Sequence, residues 1–207
     1  MDRYKTLDKK GESELVEKRS SFIGNCIRVT TEEEALSFIA SIRDAHKAAS
    51  HNVFAYCLRE NNTCRFSDDG EPQGTAGMPV LDILKRQEIV DAAIVVTRYF
   101  GGTLLGTGGL VKAYGETASL AVKNAGTAAM ELCSVFKITL DYPIYDKIQK
   151  LINDSKASVI SSSFGEKIEL DFAVVTERAR GLTAELSELT RGGLVPKLLY
   201  EKYQKVN

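Results

Sequence analysis

The sequence lacks an excess of charge of either sign. Its 27 Lys and Arg residues are balanced by 28 Asp and Glu residues, so the formal net charge is −1. The balance holds along the chain, because residues 1–124 carry 16 basic and 17 acidic side chains and the remainder carries 11 of each. Typical nucleic-acid binders have a clear basic excess. Any binding of nucleic acid by this chain must therefore come from a local patch.

Metal-binding spacings and membrane-spanning runs are also missing. The four cysteines, Cys26, Cys57, Cys64 and Cys133, form no C-x-x-C pair, and no His-x-His spacing occurs. This pattern predicts reduced thiols and no metal site. No stretch approaches the roughly 18 apolar residues of a membrane span, and the N-terminus shows no apolar targeting segment. We therefore expect a cytoplasmic protein with no membrane partner and no cofactor.

Motifs that carry catalysis in common hydrolases are absent as well. The sequence contains no G-x-S-x-G and no H-E-x-x-H, and its two histidines, His46 and His51, lie in one short segment. Five residues apart across the end of a predicted helix, they are poorly placed to share a metal ion. We expect them to make structural hydrogen bonds, and the sequence offers no catalytic residue.

The most distinctive stretch that is present runs from Val95 to Tyr114. A short buried strand over Ala92–Val96 is followed by five glycines between positions 101 and 109, and helical spacing begins at Leu110. The order strand, glycine loop, helix directs unpaired backbone N–H groups and the positive end of a helix dipole at an anion.

Two interpretations of this loop stay open. It does not match the Walker or dinucleotide patterns, since Thr107 follows Gly106 and position 111 is a valine. Its glycines could serve only tight backbone geometry. Alternatively, they form an anion or nucleic-acid site, whose candidate residues are Arg98, Thr107, Gly108, Gly109 and Lys112.

A second glycine-bearing loop, residues 67–77, carries three carboxylates, Asp68, Asp69 and Glu71, ahead of a predicted helix over residues 78–86. Carboxylates in such a cluster could hold a divalent cation or act in acid–base chemistry. More often they cap helices and pair with arginine. We predict the structural role, with Arg98 paired to Asp68 or Asp69.

The hydrophobic period divides the chain into two domains, residues 1–125 and 134–207. In the first, a hairpin with its joint near Lys18–Ser20 precedes a helix capped by Thr31, and another strand starts at His51. In the second, the elements follow the order βαββαβ of a ferredoxin-like unit, with strands at 135–140, 157–162, 168–174 and 194–200. The predicted class is α+β.

Four stretches resemble the IMPACT family and its bacterial members of the YigZ type. They are Ser21 to Gly24; His46 with His51-Asn52 and Ala55-Tyr56; Ser67 to Gly77; and Val96 to Tyr114. The resemblance implies an N-terminal domain like the second domain of ribosomal protein S-five, followed by the second domain of bacterial members. It also implies a likeness to the last two domains of elongation factor G, which contact the ribosome, whereas eukaryotic relatives regulate translation.

Three hypotheses of function follow. The first, favoured by the resemblance, is a non-enzymatic, translation-associated regulatory factor that binds RNA, the ribosome or a protein partner in translation control. The second is a metal- or carboxylate-dependent hydrolase or transferase that uses Asp68, Asp69 and Glu71 on a phosphorylated substrate. The third is a module that binds other proteins through an open sheet face.

Overall fold

The computed structural model describes residues 3–205, which form ten strands, five α-helices and two short 3₁₀ turns. Their contacts divide into two compact units, one made of Tyr4–Ala129 and one made of Arg3 with the residues from Met130 onward. The predicted α+β class with two domains of different architecture is confirmed. Within residues 3–205, no helix is both long and apolar enough to cross a membrane.

The first unit is an antiparallel sheet with helices on both faces, and its strand order is β2-β3-β6-β4-β5. Its strands are β2 (Gly11–Glu17), β3 (Ser20–Arg28), β4 (His51–Cys57), β5 (Cys64–Ser67) and β6 (Ala92–Tyr99), whereas β1 (Arg3–Leu7) lies in the other sheet. The helices are α1 (Glu32–Ala45), α2 (Gly77–Arg86) and α3 (Thr107–Ala125).

Alternation along β6 explains the two layers of this unit. Ile94 and Val96 join the core under α2 and α3, whereas Ala93 and Val95 join a second core under α1. Successive residues of a strand point to opposite faces, so a strand covered on both sides is apolar throughout. The loop after β6, and with it the start of α3, therefore lies at one end of the central strand, and the rest of α3 packs on the sheet face.

Two local predictions in the first unit are confirmed, the turn between β2 and β3 and the cap of α1. Lys18 and Arg19 have φ angles of 45° and 67°, as the tight turn of the β2–β3 hairpin requires. Thr31 caps α1, because its hydroxyl accepts a hydrogen bond from the Glu34 N–H at 3.2 Å.

The second unit has the predicted ferredoxin-like order. It contains β7 (Thr127–Leu140) from Met130 onward, α4 (Tyr145–Asp154), β8 (Ser158–Phe164), β9 (Ile168–Val175), α5 (Thr176–Leu189) and β10 (Lys197–Lys205). The strands neighbour one another in the order β10-β7-β9-β8, and all of these pairs are antiparallel. Apolar side chains of β7 and β9 pack with those of α4 and α5 in a core of their own.

Two predicted strand boundaries in the second unit are wrong. Strand β7 begins at Thr127 rather than Val135, because residues 130–133 pair with residues 202–205 of β10, a long-range contact that local pattern does not show. The last strand begins at Lys197, after Pro196, instead of including that proline. Separate folding of residues 1–125 and 134–207 stays a prediction.

The prediction of four reduced thiols is wrong for one pair. Cys57 and Cys64 form a disulfide, with Cα atoms 4.2 Å apart. They are directly opposed in the β4–β5 register, and such a short cross-strand separation suits a bridge. The other two cysteines, Cys26 and Cys133, are free and buried.

Candidate functional site

A buried ion pair stands at the end of β6. Arg98 Nη1 lies 2.6 Å from Glu71 Oε1, and the two side chains are only 6% and 4% exposed. The hydroxyl of Tyr114, on α3, donates a hydrogen bond of 2.8 Å to the same carboxylate oxygen. The Arg98 guanidinium also lies over the rings of Phe22 and Phe100, at 5.5 and 5.4 Å from their centroids. The pair therefore joins β6, the loop of residues 67–77 with its three carboxylates (the acidic loop) and α3.

Burial and the hydrogen bond to Glu71 raise the pKa of Tyr114 above its ordinary value, burial being the larger cause. Loss of the hydroxyl proton would leave two negative charges on neighbouring buried groups. The phenol is therefore held as a neutral donor to the carboxylate.

The predicted partner of Arg98 is wrong: it is Glu71, and neither Asp68 nor Asp69. Asp68 instead caps α2, because its carboxylate accepts hydrogen bonds from the N–H groups of Gly74, Ala76 and Gly77 at 2.9, 3.1 and 2.7 Å. These donors include the unpaired N–H groups at the start of the helix. With its oxygens used in this way, Asp68 is a structural residue of the loop.

Asp69 also has structural partners. Its carboxylate accepts hydrogen bonds from the Asn52 N–H at 2.6 Å and from Arg43 Nη2 at 2.8 Å. Its carbonyl oxygen accepts a hydrogen bond of 2.8 Å from Nδ1 of His51. The loop is thereby fixed to the start of β4 and to α1.

The structural role predicted for the two histidines is confirmed. In addition to the bond with Asp69, Nε2 of His51 lies 3.9 Å from Glu71 Oε1. His46 Nδ1 lies 2.9 Å from the hydroxyl of Tyr99. Within residues 3–205, no three His, Cys, Asp or Glu side chains are grouped as metal ligands would be.

The glycine loop after β6 packs closely against the β2–β3 hairpin at one point. A Cβ atom on Gly101 would lie 2.0 Å from the carbonyl group of Arg19, so only glycine fits there. The N–H of Gly101 donates to Ser20 Oγ at 3.2 Å. This glycine serves geometry, as one of the two interpretations predicts.

The end of the same loop is different, because it is open to solvent. Gly106, with a φ of 75°, occupies the N-cap of α3, and no side chain of the described residues caps the helix. Thr107 and Gly108 are exposed, Gly109 is half-buried, and no atom lies within 4 Å of where a Gly108 Cβ would stand. Because α3 begins at Thr107, three residues before the predicted start at Leu110, Lys112 lies in its second turn, where it is exposed. Backbone donors, a positive dipole end and an ammonium group can all serve an approaching anion here.

The sequence-predicted residues therefore separate into two groups. Arg98, Asp68, Asp69 and Glu71 have partners within the first unit. Thr107, Gly108 and Lys112 are exposed, and Gly109 beside them is half-buried. The helical period correctly places the ring of Tyr114 in the core, but no signal in the sequence shows its bond to Glu71. Exposed Phe100 and Leu104, the latter 82% exposed, add apolar surface to the loop.

Comparison with known proteins finds relatives along most of the chain. The family model of the Impact N-terminal domain matches residues 18–122, and a domain of unknown function, DUF1949, matches residues 138–192. IMPACT family member YvyE of Bacillus subtilis is 37% identical over 190 residues, which cover 91% of this chain and 88% of that protein. IMPACT family member YigZ of Escherichia coli is 33% identical over 180 residues, covering 86% and 88%.

More distant and structural relatives agree with these matches. Protein IMPACT-B of Xenopus tropicalis is 32% identical over 111 residues, or 51% of this chain and 34% of that protein. A crystal structure described as that of a hypothetical protein superposes with a TM-score of 0.63 at 30% identity, covering 97% of this chain and 98% of the other.

Proposed function

Because the chain belongs to the IMPACT family, we propose that it is a cytoplasmic, translation-associated regulatory factor that binds RNA or the ribosome and catalyses no reaction. The relationship to IMPACT proteins supports a translation-related regulatory role in general. A translation-regulatory protein is the other partner class that this relationship suggests. The proposed contact with the partner is the exposed start of α3.

The observation that carries the proposal is the start of α3, where no side chain among residues 3–205 caps the helix and where Lys112 lies in the following turn. Thr107, Gly108 and Gly109 offer backbone N–H groups, and Lys112 offers a positive charge on the same exposed surface. A phosphate at this point would gain charge-assisted hydrogen bonds, roughly twice as strong as neutral ones. It would also gain about 0.3–1 kcal/mol from the helix dipole. The phosphate of an RNA backbone is the occupant that a translation factor would meet.

The alternative, a hydrolase or transferase using the acidic loop, has less support. Asp68 accepts three backbone hydrogen bonds, Asp69 is paired with Arg43, and Glu71 is paired with Arg98. A general acid or a metal ligand needs a carboxylate with an oxygen directed at the substrate or ion. These side chains are directed at the protein instead.

The proposal is tested by co-sedimentation with purified ribosomes, comparing the natural protein with Gly108→Asp. The aspartate places a negative charge where the phosphate is expected, and the open space around Gly108 lets the side chain fit without disturbing α3. We expect circular dichroism to show that the variant remains folded. We also expect less of it than of the natural protein in the pellet with the ribosomes. In a parallel experiment, crosslinking in cells followed by sequencing of bound RNA and identification of bound proteins names the partner.

A matched control separates the site from the helix as a whole. Lys123→Ala removes a charge from the exposed last turn of the same helix. It should sediment like the natural protein. If Gly108→Asp also sediments like the natural protein, the glycine loop is a tight turn only and the proposal fails.

A further inference from the structure

The second unit contains a cavity that plays no part in the function proposed above. Its volume is about 590 Å³, within the roughly 300–1,000 Å³ of small-molecule sites. Every described residue of its lining belongs to that one unit. It opens where β7, β9 and β10 meet the start of β8 and the first turn of α5.

The cavity wall is basic, although the formal net charge of the whole chain is −1. Among residues 3–205, four cationic side chains line it, those of Arg3, Lys156, Arg178 and Lys205, against one carboxylate, that of Glu131. Glu131 lies 3.5 Å from Arg3 and neutralises that one cation. Lys156 and Arg178 add two further positive charges to the same concave surface, and such a surface favours an anion.

Two of these cations are available to a ligand. Among the residues from 3 to 205, neither Lys156 nor Arg178 makes an ion pair or a side-chain hydrogen bond. Both are exposed at the rim of the cavity. Guanidinium groups bind phosphate through two parallel hydrogen bonds, and an ammonium group adds a point charge.

The backbone at Lys156 is unusual for a lysine. The residue has a φ of 55°, and its N–H donates to the carbonyl of Asn153 while that of Ala157 donates to Ile152. This double hydrogen bond is the common end of a helix, and glycine or asparagine normally occupies the left-handed position. A lysine at this place is held at the rim of the cavity by the end of α4.

The rest of the described lining, called the floor below, is uncharged and includes the polar side chains of Ser158 and Gln204 beside apolar ones. Ala157, Ala173 and Val175 line it with Cys133, whose side chain lies on the sheet face opposite the core under α4 and α5. Burial raises the pKa of the Cys133 thiol, so the sulfur stays protonated near neutral pH. The floor can therefore contact the organic part of a ligand while the rim contacts its charge.

We propose that this cavity binds a small organic phosphate of about mononucleotide size. The phosphoryl group lies between Arg178 and Lys156. The uncharged floor receives the uncharged part of the molecule. The same phosphate chemistry is present in single-stranded RNA, and the experiment separates the two sources.

The test is isothermal titration of the full chain with inorganic pyrophosphate, AMP and a single-stranded oligonucleotide. We expect saturable binding of pyrophosphate and AMP, weakened about tenfold in Arg178→Gln and in Lys156→Asn, since each loses one charge-assisted hydrogen bond. Asparagine suits the left-handed backbone, so the second variant keeps its fold. Arg180→Gln, an exposed arginine of the same helix outside the cavity, is the matched control and should bind like the natural protein.

NMR locates the ligand independently, because the methyl resonances of Ala157, Ala173 and Val175 should shift on addition of AMP. The proposal is overturned if neither pyrophosphate nor AMP binds up to millimolar concentration. It is equally overturned if Arg180→Gln weakens binding as much as Arg178→Gln, or if the oligonucleotide alone shifts these methyl resonances.

Discussion

Arg98 and Glu71 form an ion pair, with atoms 2.6 Å apart, that is almost completely removed from solvent. Because Tyr114 donates to the same carboxylate, three separate parts of the first unit meet at one charged oxygen. Breaking a buried pair is costly because the remaining charge keeps its desolvation penalty and loses its compensation. The residues that most resemble a catalytic cluster in the sequence are therefore the ones on which stability depends.

Arg98→Ala should destabilise the protein by on the order of 3–5 kcal/mol, since it leaves the Glu71 carboxylate buried without its cation. Differential scanning calorimetry would show this as a markedly lower Tm. Arg86→Ala is the control, because Arg86 is 81% exposed and lies 3.9 Å from Asp82, and a surface pair contributes at most about 1 kcal/mol. An unchanged Tm together with lost partner binding would show instead that Arg98 is a binding residue.

Tyr114→Phe should make stability less sensitive to alkaline pH. The pKa of Tyr114 is raised in the folded protein above its ordinary value of 10.0, so above that pH the unfolded chain loses the proton while the folded one retains it. The unfolded state then binds fewer protons, and the free energy of unfolding falls as pH rises. Phenylalanine removes this contribution and keeps the ring that packs edge-on against Phe22 at 5.1 Å.

Urea denaturation at pH 8 and at pH 10.5 measures this difference. At pH 8 the variant should be less stable by about 1–3 kcal/mol, because the carboxylate of Glu71 loses a donor. Between the two pH values the natural protein should lose more stability than the variant. Parallel curves for the two proteins would contradict the assignment of the raised pKa to Tyr114.

Reduction of the disulfide between Cys57 and Cys64 should destabilise the first unit. The bridge closes a loop with a sequence separation of 7 residues, and the loop-entropy relation gives roughly 2–3 kcal/mol for so short a loop. Denaturation with and without a thiol reductant measures the effect, and peptide mapping under non-reducing conditions identifies the bridge. The variant Cys64→Ser should show no response to reductant; a response of equal size would place the effect elsewhere.

The sequence predicts well what depends on neighbouring residues and poorly what depends on distant ones. The cap at Thr31, the turn at Lys18–Arg19 and the βαββαβ order all follow from local pattern. The pairing of Arg98 with Glu71 rather than Asp68 depends on how the acidic loop folds. In the folded loop, the Asp68 carboxylate already accepts hydrogen bonds from N–H groups at the start of α2. The disulfide depends on the β4–β5 register, and the early start of β7 depends on β10. Neither pairing leaves a local signature.

The two predicted domains should fold separately, and the start of the second is tested by two fragments. Residues 127–207 contain all of β7, whereas residues 134–207 lack the positions that pair with Lys202–Lys205. We expect the longer fragment and residues 1–125 each to give a cooperative thermal transition by circular dichroism. The shorter fragment should melt at a lower temperature, and a shared transition temperature would mean that β7 before Ser134 adds nothing to the unit.

Binding at the start of α3 should depend on salt, and Lys112→Ala should reduce that dependence. Each phosphate contact releases counterions, so the logarithm of the binding constant falls against the logarithm of salt concentration by about 0.7 per contact for single strands. Loss of Lys112 should lower this slope by about that amount and weaken binding at low salt. Lys123→Ala, which removes a charge from the far end of the same helix, should leave the slope unchanged.

Fluorescence anisotropy with a labelled single-stranded RNA at several salt concentrations gives both the slope and the binding constant at low salt. Equal slopes for the natural protein and Lys112→Ala would show that Lys112 does not contact phosphate. In that case any binding must use the backbone N–H groups of Thr107, Gly108 and Gly109 alone.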